Sequence, residues 1–360
     1  MLKLAVYMSK TFVLTWLGVT FGFLVLIGLL DSLANGGDII GGENGFAATF
    51  RYMFYRAPVI FDRIFVFTFV VAILLVYVKL IRNHELVALL GFGISVPRQI
   101  LALAPVVLAS SLLAILIIDT ALPPAVRALQ SWGVAEYKQR NVTEDNPLWL
   151  EDERRIVRAA ARPGYDMLGE LEFYARTDTG QIKSVTWAET ADYIGEGWEL
   201  NGVRTLEVAG ADGQEREAVA QVGPSVWTTS QTPDSIARLA AEPRDISLAD
   251  MRAFRMEGNS GSRPSFAYGF WFLHRVTRPF AILVLLAACV AIMQRVGRQD
   301  TGDRALVVGV AAGFVFLILD GAMATFAASG GIPPAWAVVL PIAAFALLAG
   351  FLVVRTESLT

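Results

Sequence analysis

What this chain has little of narrows it first. It carries a single cysteine, Cys289, and that residue sits inside an apolar run. One thiol can neither close an intrachain disulfide nor build a thiolate metal cluster, so Cys289 is expected to be a small buried hydrophobe. Histidine is nearly as scarce, with two residues, His84 and His274. They border spans at opposite membrane faces in the topology derived below, so no metal pair is expected. No G-x-x-x-x-G-K-[ST], H-E-x-x-H or G-x-S-x-G run occurs, which removes a phosphate cradle, a zinc-protease helix and a nucleophile elbow. Charged residues make up only 18% of the chain, and the net charge of −3 argues against a nucleic-acid partner. No catalytic residue and no metal ligand is expected. Movement of something through or out of a membrane is the better class of function.

What is present is apolar length. The chain is 55% hydrophobic with a mean hydropathy of +0.52, too apolar for an ordinary soluble protein. Lys3 and Lys10 precede Phe12–Leu30, which carries no charge. That run is long for a signal peptide and lacks a small-x-small cleavage site, so it is expected to span a membrane from the cytoplasmic side. Further spans are expected at about Pro58–Leu80, Gln99–Ile118, Phe270–Met293, Arg304–Phe326 and Ala335–Val354. A glycine-rich loop is expected over Asp31–Ala57, and Pro123-Pro124 is expected to stop the third helix. Lys79, Arg82 and Arg98, with Arg295, Arg298 and Arg304, then share the cytoplasmic face with both termini, as the positive-inside rule requires.

Between the third and fourth spans the composition switches. Residues 125–268 hold 16 of the 30 Lys+Arg and 23 of the 33 Asp+Glu, a net charge of −7, and leave +4 on the apolar remainder. Strand-like runs recur at Arg154–Ala160, Glu170–Ala175, Ile182–Trp187, Val203–Val208 and Glu217–Val222, with turn signals such as Glu196-Gly197 between them. About 140 residues suffice to bury a core, and a β-sandwich or jelly roll is the natural class. The expected fold is a membrane protein of six transmembrane α-helices, three plus three, with an inserted periplasmic β jelly-roll domain. Its parts are 1–124, including a cytoplasmic helix at 81–97, then 125–268, then 269–360.

The segment Ile81–Pro97 stands out on the cytoplasmic side. As a short helix it places Leu86, Leu89, Leu90 and Ile94 on one face, and His84, Ala88, Gly91 and Ser95 on a second, small and polar one. Two readings are open: an ordinary amphipathic loop at the membrane surface, or a peg for a groove on another protein. In the second, Glu85 would accept a charge-assisted hydrogen bond from a basic residue. Charges near the outer ends of the spans also admit more than one reading. Asp320, inside the fifth span, must face the bundle, water or a partner, or mark a solvated helix end. Asp62, Arg63, Arg275 and Arg278 could pair with one another, meet lipid phosphates, or snorkel. Asp31 and Asp38 would suit cation-bridged phosphates or basic partners.

Taken together, Asn83-His84-Glu85-Leu86-Val87-Ala88-Leu89 followed by Gly91-Phe92-Gly93-Ile94-Ser95 resembles the run between the second and third spans of the lipopolysaccharide-export permeases, the LptF/LptG family, and the LptG branch most. Supporting matches are Leu30-Asp31, Gly197-Trp198-Glu199-Leu200, Leu273-His274-Arg275 with Pro279, and Ile332-Pro333-Pro334. The resemblance covers nearly the whole chain and its topology. It implies a permease subunit of an ABC transporter in the bacterial inner membrane, not itself an enzyme, that extracts lipopolysaccharide and passes it to a periplasmic bridge. The implied partners are a cytoplasmic LptB-like ATPase dimer, an LptF-like paralogous permease, and single-span LptC-like and periplasmic LptA-like jelly-roll proteins. No cofactor is bound by this chain; ATP and Mg would be used by the ATPase.

Carried over, the coupling segment comprises Arg82, His84, Glu85, Leu86, Leu89, Leu90, Gly91, Gly93 and Ser95, with Glu85 paired to the ATPase, and the first and fifth spans form lateral gates. Where the family carries lysines near the outer end of the first span, this chain has Asp31, Asn35 and Asp38. Head-group contact would then pass to Arg51, Arg56 or Arg63, or to bridging cations. Two rival classes stand beside this reading. A permease of the lipoprotein-release or macrolide-export kind has a one-plus-three split of spans rather than three plus three. A membrane scaffold or sensor with a ligand-binding β domain would lack an ATPase partner.

Overall fold

A computed structural model describes residues 2–40, 45–139, 142–144, 147–152, 155–164, 166–177, 180–207, 219–222, 225–229, 231–256, 264–296 and 303–357. Arg298, Val208 and the start of the expected Glu217–Val222 strand lie outside them. The chain divides into two compact units. One comprises Met1–Ala34, Arg56–Leu122 and Gly269–Thr360; the other comprises Asn35–Tyr55 and Pro123–Tyr268.

Among the described residues, six helices are long and apolar enough to cross a membrane. They are α1 (Leu2–Ala34), α3 (Gly45–Arg82), α5 (Val96–Trp132), α9 (Ser265–Val296), α10 (Asp303–Ala328) and α11 (Pro334–Glu357). Hydrocarbon offers no partner for peptide groups, so an apolar run of this length folds as helix, where its own backbone satisfies them. In the first unit α3 and α9 are the inner helices, with 67% of their apolar windows buried. The windows of α1 and α10 are only 17% buried. The buried stripe of α1 is Met8, Phe12, Trp16 and Thr20, at four-residue spacing. It packs on α3 through Phe12–Phe69 and Trp16–Phe69, with ring centroids 5.9 and 4.7 Å apart. Gly309 and Gly313 let α10 approach α3 closely: a Cβ on Gly309 would lie 2.4 Å from Leu74, and one on Gly313 2.8 Å from Val70. Farther along, a small apolar cluster of Phe270, Ala327, Ala337 and Val338 joins α9, α10 and α11.

Two sequence expectations are corrected here. The stretch expected as a loop over Asp31–Ala57 is largely helical: α1 continues to Ala34, α2 occupies Gly36–Ile40, and α3 begins at Gly45. Glycine weakens a helix by about 1 kcal/mol relative to alanine, but Ile39, Ala48 and Tyr52 are buried and supply an apolar face. Likewise α5 runs through Pro123 and Pro124 to Trp132 rather than stopping there. Each proline removes one donor from the ladder, and the bonds on either side persist.

The second unit contains eight strands among the described residues: β1 (Leu148–Asp152), β2 (Arg155–Gly164), β3 (Met167–Arg176), β4 (Ile182–Tyr193), β5 (Trp198–Asn201), β6 (Val203–Glu207), β7 (Val219–Val222) and β8 (Ser225–Trp227). They form one antiparallel sheet in the order β1-β2-β3-β4-β5-β8, with β6 pairing both β4 and β7. The long β4 serves two partners in turn, Ser184–Trp187 pairing β6 and Thr190–Tyr193 pairing β5. Strand periodicity sends Leu148 and Leu150, Val157 and Ala159, and Leu171 and Phe173 to one buried face. Trp198 and Trp227 fill that face, with Ile236 and Leu239 of α7 (Pro233–Ala240) packed against it. Two short helices, α6 (Glu136–Gln139) and α8 (Leu248–Met256), flank the sheet in sequence.

Candidate functional site

The short helix α4, Glu85–Gly91, lies between α3 and α5 in the chain. Left-handed residues set both its ends: His84, with φ 59°, precedes it, and Gly93, with φ 71°, follows. The exit is closed by hydrogen bonds from the Gly93 amide to Leu90 O at 2.9 Å and from the Ile94 amide to Leu89 O at 3.1 Å. Gln99 then donates to Ile94 O at 3.1 Å, and Arg98 to Gly93 O at 3.4 Å. Ser95 is half-buried and its carbonyl accepts from the Gln99 amide. Gln99 is wholly buried and also accepts from Gln294 of α9 at 2.8 Å and from Tyr77 of α3 at 3.4 Å. The segment is therefore fixed to three helices of the bundle.

The exposed face of α4 differs from the expected one. Leu86 and Leu89 are buried within this chain, and Leu90 and Ile94 are half-buried. The leucines expected to enter a partner's groove instead cover the end of their own bundle, because a seven-residue helix tethered at both ends has no other way to bury them. What faces outward is the small face, His84, Ala88 and Gly91, flanked by Val87 and Phe92 at 69% and 82% exposure. Glu85 accepts at Oε1 from Tyr7 Oη and from Asn83 Nδ2, both at 3.1 Å. Arg82 is ion-paired with Asp303 at 2.7 Å, with both side chains well exposed. Asn83, Val87 and Phe92 entered the sequence reading only as members of the run that carries the resemblance, and Tyr7 not at all. Val87 and Phe92 were hidden by the leucine periodicity, and Tyr7 is remote in sequence.

The charges near the other ends of the spans resolve into pairs. Asp62 of α3 bonds Arg278 of α9, with side chains 1% and 6% exposed. Arg275 donates to Asp119 of α5 at 3.1 Å. His274 Nε2 lies 2.9 and 3.1 Å from the two oxygens of Asp320 on α10. Three helices are thus tied to little more than one turn of α9. Of the readings left open for Asp62, Arg275, Arg278 and Asp320, pairing within the bundle is the one realised, since Coulomb attraction between them removes the cost of isolated charges in an apolar setting. Asp119 was not among the expected site residues, and His274 was noted only as one of the two histidines and within the Leu273-His274-Arg275 run. Asp31 bonds Arg56 at 2.8 Å, so neither is simply presented to solvent. Arg63 and Asp38 are exposed. Arg51 is exposed too, its guanidinium 4.8 Å from the ring centroid of Trp132.

With this geometry in place, comparison with known proteins decides the family. The family described as lipopolysaccharide export system permease LptF/LptG matches residues 6–355. The chain belongs to the LptF/LptG family. It is 22% identical over 355 residues to the lipopolysaccharide export system permease protein LptG of Escherichia coli K12, covering 97% of each chain, and equally to that of Escherichia coli O6:H1. It is 20% identical over 262 residues to the LptG protein of Haemophilus influenzae, covering 67% of this chain and 71% of that one. Six apolar helices and membership of the LptF/LptG family make this a multi-pass inner-membrane permease of the lipopolysaccharide export system, with its antiparallel β domain inserted between the third and fourth spans.

Proposed function

We propose that this chain is the permease half of an ABC exporter. It takes lipopolysaccharide out of the inner membrane and hands it to periplasmic β-domain proteins of the LptC and LptA kind. An LptF-like paralogue completes the lipid cavity, and an LptB-like ATPase dimer, using ATP and Mg, supplies the work. The chain contributes no cofactor and no hydrolytic group of its own. Both termini and α4 face the cytoplasm, and the β domain faces the periplasm. Lys79, Arg82 and Arg98, with Arg295 and Arg304, support this orientation through their common placement at the connections between α3 and α5 and between α9 and α10.

The observation that carries the proposal is α4 itself. It is a short helix between two spans, closed at its C-terminal end by backbone hydrogen bonds, with exposed Phe92 and Val87 near the Glu85 carboxylate. An exposed phenyl ring flanked by small residues suits an apolar pocket, and Glu85 suits a basic residue at its rim. Closure of the ATPase dimer on ATP would pull α4 and turn the helices attached to it. Narrowing of the cavity then drives the acyl chains toward the β domain. Each CH₂ leaving hydrocarbon costs about 0.8 kcal/mol, so a many-chained lipid does not leave the bilayer without such work. At the lipid head group, exposed Arg51 and Arg63, or cations bridged by Asp38, serve as phosphate contacts.

The test is Glu85→Ala in the full complex. Lipid-stimulated ATP hydrolysis and lipopolysaccharide export should fall while membrane insertion and abundance stay unchanged. Normal export by that variant would refute the assignment of α4.

A further inference from the structure

The helices flanking α4 receive its motion through the backbone: α3 through the turn at Asn83-His84, and α5 through Gly93–Ser95. The first helix has no such covalent link. Its apolar window is only 17% buried, and within its stripe of Met8, Phe12, Trp16 and Thr20 the rings of Phe12 and Trp16 meet Phe69 of α3. Such dispersion contacts are non-directional, unlike a hydrogen bond.

Tyr7 stands one position from this stripe, at the end of α1 nearest α4, with its hydroxyl 3.1 Å from Glu85 Oε1. The same oxygen accepts from Asn83. Two donors on Oε1 restrain the carboxylate's rotation.

We infer that Tyr7 is a positioning residue. Its phenol, bonded to Glu85, ties α1 to α4 so that the pull on α4 also turns α1. The inference rests on the reading of α4 as the ATPase-docking segment and adds a route to a helix that the backbone leaves out. A phenol bonded to a carboxylate is a charge-assisted contact, and a directional one, unlike the ring packing beside it. Phenylalanine at position 7 keeps the ring and removes only the hydroxyl.

The experiment uses the complete complex, purified from native membranes into lipid nanodiscs, in a Cys289→Ala background. Spin labels are placed at Leu14 on α1 and Leu101 on α5, which are 61% and 69% exposed. Their separation is measured without nucleotide and with ATP and vanadate. Tyr7→Phe should retain the ATPase in the same ratio and hydrolyse ATP within about twofold of the parent. The nucleotide-driven change at α1 should disappear, and lipopolysaccharide released per ATP should drop about tenfold, as expected for loss of one hydrogen bond to a charged group. An unchanged α1 displacement or unchanged release per ATP overturns the tether, as does loss of the ATPase from Tyr7→Phe. Glu85→Ala separates the two readings. If it loses the ATPase while Tyr7→Phe does not, both stand. If Glu85→Ala keeps the ATPase and exports normally, the docking reading falls and the tether falls with it.

Discussion

Arg278 of α9 and Asp62 of α3 form a deeply buried ion pair, with side chains 6% and 1% exposed. The guanidinium also lies 5.6 Å from the ring centroid of Phe65. A buried pair adds little net stability because desolvation offsets its attraction, but removing one partner strands the other charge. Arg278→Ala should therefore cost about 3–5 kcal/mol, read as a lower thermal midpoint of the purified protein in lipid nanodiscs. The double change Asp62→Leu with Arg278→Met should recover most of that loss. A single variant as stable as the parent would mean that the pair holds nothing together.

Trp198 anchors the second unit. Its indole is fully buried, donates to Gln231 O at 2.8 Å, and lies 6.5 Å from Trp227 and 5.3 Å from Tyr193 between ring centroids. Trp198→Ala should destabilise this unit by about 3–5 kcal/mol through the cavity it leaves. Trp198→Phe keeps most of the packing and should lose about 1 kcal/mol with the hydrogen bond. Thermal unfolding followed by tryptophan fluorescence, with limited proteolysis to show which unit opens, checks both. Equal losses in the two variants would contradict the packing argument.

Span number and the inserted strands were legible because each depends on a strong local period: long uncharged runs for the helices, and alternation for strands such as Val157–Ala159 and Leu171–Phe173. Among the short strands, β6 and β7 were expected, but β1 and β8 were not, and β5 was visible only as Gly197-Trp198-Glu199-Leu200. A limit of periodicity also shows at α4. Its leucines announced an apolar face correctly, but periodicity cannot tell whether such a face meets its own chain or another. Burial of Leu86 and Leu89 answers that, and leaves Phe92 and Val87 as the exposed apolar side chains of this segment. The pairs Arg275–Asp119 and His274–Asp320 join residues far apart in sequence, and nothing local to either residue names its partner.

Tyr174 offers a pH test outside the membrane helices. Its hydroxyl donates to the Glu172 carboxylate, and this bond, with partial burial and the negative charge, raises the phenol above its ordinary value near 10. The neutral phenol is the form favoured by folding, so this contribution is complete below pH about 10 and is lost as pH climbs through the raised value. Ultraviolet difference titration of the parent against Tyr174→Phe should show a tyrosinate appearing only above pH about 10. Glu172→Gln should bring it back toward the ordinary range. A difference signal already complete below that range would show that the Glu172 bond is absent in solution.

Gly309 sets how near α10 comes to α3. A Cβ there would meet Leu74 Cδ2 at 2.4 Å and Cδ1 at 3.0 Å, and Leu74 is itself wholly buried, so it has no room to yield. Gly309→Val should push α10 outward and cost about 1–3 kcal/mol by overpacking. Leu74→Ala alone should cost about 2–5 kcal/mol by opening a cavity. Combined, the two changes should cost less than their sum, because the valine fills the space that the alanine vacates. Thermal midpoints of the four proteins in nanodiscs complete the cycle. Strict additivity would show that the two helices do not touch at this point, and α10 would then be held to α3 by Gly313–Val70 and Phe314–Phe67 instead.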